Sequence, residues 1–133
     1  MKILLVHDEM INESLPVFAQ YPDLQRVFVF DPAFIAAEGW TMKRVQFIAD
    51  GLMEIPNVHV YKGALTDVCS SLSVNHIVTQ RTPNHCISAW LAGLTPMLID
   101  YADEPPFVRY SGRVTRFTKY WKTVEPQWFP KAQ

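Results

Sequence analysis

Three consecutive stretches decide the fold: Arg26-Val27-Phe28-Val29-Phe30, then Thr41-Met42-Lys43-Arg44-Val45-Gln46-Phe47-Ile48-Ala49-Asp50-Gly51-Leu52-Met53, then Val58-His59-Val60-Tyr61. The outer two are short runs of β-branched and aromatic residues without polar alternation, the pattern of strands covered on both faces. The middle one keeps Met42, Val45, Phe47, Ile48 and Leu52 roughly on one stripe, with Lys43, Arg44 and Asp50 off it, and Thr41 suits an N-cap. Strand, helix, strand in this order is a crossover unit, and a right-handed crossover joins parallel neighbours.

The same alternation extends in both directions. Lys2–Val6, His76–Thr79 and Pro96–Ile99 are further apolar runs, and Glu13–Tyr21, Ala64–Leu72 and Pro83–Leu91 are further helical segments. Pro83 suits a first helical turn and Gly93 a stop. Five strands alternating with helices predict an α/β fold: a Rossmann-like, doubly wound, five-stranded parallel sheet with helices on both faces.

About half of the 133 residues are apolar (49%), enough for the core of one ordinary domain. No apolar run approaches the ~20 residues of a membrane span, so no membrane partner is expected. Cys69 and Cys86 have no zinc spacing, which fits a reducing, cytoplasmic setting. The charge is unevenly distributed. Residues 1–108 carry six Lys/Arg against twelve Asp/Glu, whereas residues 109–133 carry six against Glu125 alone. The second segment also holds Tyr110, Phe117, Tyr120, Trp121, Trp128 and Phe129. It reads as a basic, aromatic linker or docking tail on an α/β domain of residues 1–108. Such a tail expects a partner protein or a second copy, with DNA bound only weakly or indirectly.

Ligands of doubly wound sheets sit beyond the carboxyl ends of the strands. Those ends supply His7-Asp8-Glu9, Asp31-Pro32, Lys62-Gly63, Gln80-Arg81-Thr82 and Asp100-Tyr101. No glycine-rich phosphate loop is present, which argues against ordinary dinucleotide binding. His7 and Asp8 form the best-placed polar pair for holding a heterocycle, and they equally suit capping of the loop. Lys43 and Arg44, with Arg81, offer charge for an anionic ligand. His85 and Cys86 are adjacent on a helix and so point about 100° apart, a poor arrangement for a nucleophile and its base.

Three stretches together resemble the N-terminal α/β domain of the photolyase/cryptochrome family. They are Val27 to Phe34 with its Asp31-Pro32 exit, Lys43 to Leu52 followed by Val58 to Gly63, and Phe117-Thr118-Lys119-Tyr120-Trp121-Lys122 at the opening of the interdomain linker. The first loop keeps only Asp8 and Glu13 of the family pattern, and Lys119 stands where the family has proline. The resemblance implies the strand order 3-2-1-4-5. It also implies an antenna-chromophore pocket near His7, Asp8, Phe30, Asp31, Lys43 and Arg44, between the ends of the first, second and fourth strands. Its ligand would be a folate, a deazaflavin or a flavin. In that family FAD and damaged DNA are held by a C-terminal helical domain, so FAD is not expected on this chain alone. The implied role is a non-catalytic binding or antenna module beside a separate FAD-binding helical protein or a second copy, docked through residues 109–133. The alternative from a different class is a small nucleotide-binding α/β protein with its own ligand chemistry.

Overall fold

The computed structural model describes residues 1–103 and, beyond them, only Lys122 and Pro126. Apart from those two, the expected tail, residues 109–133, and the linker-like stretch from Phe117 therefore lie outside the described residues. Five parallel strands form one sheet: β1 (Lys2–Val6), β2 (Gln25–Phe30), β3 (Val58–Lys62), β4 (His76–Gln80) and β5 (Leu98–Ala102). Their order is β3-β2-β1-β4-β5, as expected from the sequence. The register runs Ile3 to Gln25 on one side of β1 and Ile3 to Ile77 on the other.

The helices are α1 (Pro16–Gln20), α2 (Pro32–Glu38), α3 (Met42–Met53), α4 (Leu65–Ser71) and α5 (His85–Ala92). Two cores result, one on each face. Leu4, Val6, Phe28 and Val78 pack against α1 and α3 through Val17, Phe18, Ile48 and Leu52. Ile3, Leu5, Val27 and Ile77 pack against α4 and α5 through Leu65, Val68, Ile87 and Leu91. The sheet is thus covered on both sides, which is why its strands read as continuous apolar runs.

Several local expectations are corrected. The first helix spans only Pro16–Gln20 of the expected Glu13–Tyr21, because Asn12 accepts hydrogen bonds from the Ser14 amide and hydroxyl, forming a turn instead. The fourth expected helix starts at His85 rather than Pro83, since the Asn84 side chain caps the Cys86 amide. The last strand is Leu98–Ala102 rather than Pro96–Ile99, because its register matches His76 to Leu98 and Gln80 to Ala102. Helix α2 was not expected at all, although Asp31 caps it, Pro32 opens it and Gly39, at φ 66°, closes it. Along α3, Ile48 and Leu52 are buried but Met42 and Phe47 are 81% and 74% exposed. Only one line of the helix touches the sheet, and those two residues flank it on opposite sides.

Among the described residues, no helix is long and apolar enough to cross a membrane.

Candidate functional site

The loop after β1 is tied down at the carboxyl edge of the sheet. His7 is 2% exposed and its two ring nitrogens are both engaged. Nε2 lies 2.9 Å from the Gln80 carbonyl at the end of β4, and Nδ1 accepts the Glu9 amide at 3.2 Å. These partners require the neutral tautomer with its proton on Nε2. Burial lowers the imidazole pKa, against the opposing pull of the Gln80 carbonyl and of Asp8 and Glu9. The Asp8 carboxylate accepts from the Arg44 guanidinium at 3.0 Å, and that guanidinium lies 5.1 Å over the Trp40 ring. Glu9 accepts from the Thr82 hydroxyl and, at 3.1 Å, from the Asn84 amide.

A pH dependence follows from His7. Its folded pKa is depressed, so the unfolded chain binds the proton first. Stability is expected to fall as pH drops below the ordinary histidine value of ~6.5, by at most ~1.4 kcal/mol per unit, until the folded pKa is reached. Urea midpoints between pH 7.5 and 5.5, with the His7 ring resonances followed by NMR, check this. A His7 ring that titrates at its ordinary value in the folded protein contradicts it.

Asp31 is the second fixed point. One carboxylate oxygen accepts the Ala33 and Phe34 amides at the start of α2, at 3.0 and 3.4 Å. The other accepts the Leu65 amide at 3.1 Å and the Trp90 indole at 2.9 Å. Burial pushes the carboxyl pKa up, but the Trp90, Leu65, Phe34 and Ala33 hydrogen bonds together outweigh it and hold the group below the ordinary carboxylate range. Asp31 therefore joins α2, α4 and α5 over the sheet edge. Phe34 stacks on Trp90 with ring centres 4.8 Å apart and meets Trp40 edge-on at 5.7 Å.

Anchoring α2 in this way opens a cleft of about 640 Å³ at the carboxyl ends of β2 and β3. Phe30, Ile35, Ala36, Trp40, Met42 and Val45 supply its walls, and Lys62 is its one charged residue among those described. Such a volume is within the ~300–1,000 Å³ of small-molecule sites.

The sequence-derived residues divide unevenly around this cleft. Phe30 lines it. Lys43 is exposed on α3 between Met42, which lines the cleft, and Arg44, which turns to Asp8. His7, Asp8 and Asp31 are engaged in hydrogen bonds that position the loop and α2. The cleft lies over β2 and β3, to one side of the expected place between the ends of the first, second and fourth strands. Lys62, one of the strand-end residues, lines it as well, whereas sequence reasoning missed Trp40, Ile35 and Ala36. The Asp31-Pro32 start and Gly39 stop of α2 were the signal that could have found the wall they build.

Cys86 is exposed, and the Glu38 carboxylate, which accepts its hydrogen bond, pushes the thiol pKa up. A thiol held protonated is a weak nucleophile. Among the described residues no group of His, Cys, Asp and Glu is arranged to hold a metal ion. Comparison with family models, with curated proteins and with solved structures finds no match to this chain.

Proposed function

We propose that this chain is a non-catalytic binding module of the photolyase/cryptochrome antenna type, whose cleft takes a planar heterocycle. The observation that carries the reading is the aromatic-walled cleft of about 640 Å³ between α2, α3 and the ends of β2 and β3. Phe30 and Trp40 provide faces for stacking, worth about 0.5–1.5 kcal/mol each beyond area burial. Lys62 provides one positive charge for a phosphate or carboxylate on the ligand. Supporting a binding role over chemistry, the polar side chains nearest the sheet edge are engaged in hydrogen bonds that hold loops in place. The resemblance supplies the ligand classes, a folate, a deazaflavin or a flavin. It also supplies the partner, a flavin-binding helical chain or a second copy met through residues 109–133.

Titration of the full chain with FMN, an 8-hydroxy-5-deazaflavin and methenyltetrahydrofolate, read by ligand fluorescence, tests this. At least one is expected to bind with a Kd of tens of micromolar or below, about −6 kcal/mol or stronger. Ala36→Trp, which fills the cleft, is expected to weaken binding more than about tenfold, and Trp40→Ala by about tenfold through loss of one stacking face. Absence of binding by all three, or binding indifferent to both substitutions, overturns the reading.

A further inference from the structure

On the other flank of α3 lies a groove of different character. Phe47, Asp50, Gly51 and Glu54 fall on one line of the helix, and they face the segment that follows β1. The helix backbone at Gly51 lies close against the Ile11 side chain, since a Cβ on Gly51 would come to 2.5 Å from it. Two adjoining hollows of about 370 and 260 Å³ flank this contact and share Ile11, Gly51 and Glu54. The floor of the larger is mainly apolar, with Ile11 and the 74% exposed Phe47 over the buried Ile48, whereas the smaller is lined mainly by polar atoms around Ile11 and the buried Ile55. Their rim carries Asp8, Glu9, Glu13, Asp50 and Glu54. Arg44 alone among the described lining residues is positive, and it is bound to Asp8.

We propose that this groove receives the basic aromatic segment 109–133 of the same chain. Charge complementarity is the first argument. That segment has six Lys/Arg against one Glu, together with six aromatic side chains, so it matches both the acidic rim and the apolar floor. The place where the described chain ends is the second. Asp103 accepts a hydrogen bond from Arg81 at 2.7 Å, and the next residue, Thr82, donates to Glu9 on the groove rim. In the sheet, β5 is two strands from β1, about 10 Å. The six residues from Asp103 to Arg109 span up to about 20 Å when extended. The segment therefore starts within reach of the groove. Tethering also gives it a millimolar effective concentration that a free competitor must exceed. Partner binding through the tail then requires release from this groove. The inference rests on the groove and the tail sequence and is independent of any ligand in the aromatic cleft.

The test uses the full chain with a photoreactive benzoylphenylalanine in place of the exposed Phe47. Irradiation at low micromolar concentration is expected to yield a product of monomer mass whose cross-linked peptide comes from residues 109–133. Asp50→Lys with Glu54→Lys, both at exposed positions, is expected to cut that yield about tenfold. Lys119→Glu with Lys122→Glu in the charge-reversed background is expected to restore part of it. Circular dichroism of each variant checks that the fold is kept. Cross-links of dimer mass would assign the groove to a second copy, and cross-links confined to residues 1–103 would leave it empty of the tail. Either result, or a yield unmoved by charge reversal in folded variants, overturns the proposal.

Discussion

Asp31→Ala is expected to lower the folding free energy by about 3–5 kcal/mol. The carboxylate accepts four hydrogen bonds, from the Ala33, Phe34 and Leu65 amides and the Trp90 indole, and the residue is 7% exposed. Loss of the N-cap on α2 costs about 1 kcal/mol. The Leu65 amide and the Trp90 N–H then lose their acceptor, and each such orphan costs about 1–3 kcal/mol. Asp31→Asn keeps one acceptor oxygen for α2 but turns an amide NH2 towards those two donors, so it is expected to cost less than alanine yet more than a surface change. The effect also depends on pH. The folded pKa of Asp31 is depressed, so its charge contributes fully above the ordinary aspartate value of ~3.9, and that contribution is lost as pH falls through the lower folded value. Urea unfolding of both variants at pH 7 and of the wild type down to pH 3 measures this. A loss below 1 kcal/mol for Asp31→Ala would show that the four bonds do not hold α2 as described. Because α2 supplies Ile35 and Ala36 to the cleft, ligand binding is expected to weaken with it.

Leu5→Ala is expected to cost a further class of about 3–5 kcal/mol, by a different cause. Leu5 is fully buried at 0% exposure on β1, which has β2 on one side and β4 on the other. Its side chain fills the core beneath α4 and α5, and its carbonyl accepts the Thr79 hydroxyl at 2.8 Å. Neighbours held by two strands and two helices have little freedom to close over the cavity left by truncation. Leu98 has the same side chain on edge strand β5, where it is 58% exposed. Leu98→Ala is therefore expected to change stability by no more than about 0.5 kcal/mol. Denaturant midpoints with unchanged slopes separate the two substitutions, and comparable losses at both sites would contradict the sheet order.

The parallel sheet was legible because it depends on short-range pattern. Runs such as Val27–Phe30 and His76–Thr79 are apolar without alternation, and the intervening helix at Thr41–Met53 is amphipathic, so each segment declares its own state. Their alternation then leaves few ways to cover both faces of a sheet. Helix α2 went unread: Asp31, Pro32 and Gly39 mark its ends, but its seven residues carry too weak a periodicity to stand out.

The candidate site was less so. Lys62 could be placed near it from strand ends alone, and Phe30 and Lys43 through the family resemblance, whereas the roles of His7, Asp8, Arg44 and Asp31 could not. Asp31 meets Leu65 and Trp90 across 34 and 59 residues, His7 meets Gln80 across 73, and Asp8 meets Arg44 across 36. A side chain has no local signal for a partner so far along the chain. By itself the sequence determined the strands, the order in which they alternate with helices, and the edge of the sheet where polar loops gather. Only the tertiary structure decided which polar groups bind one another there and which apolar walls stand open, because those contacts exist only once the sheet has brought distant segments side by side.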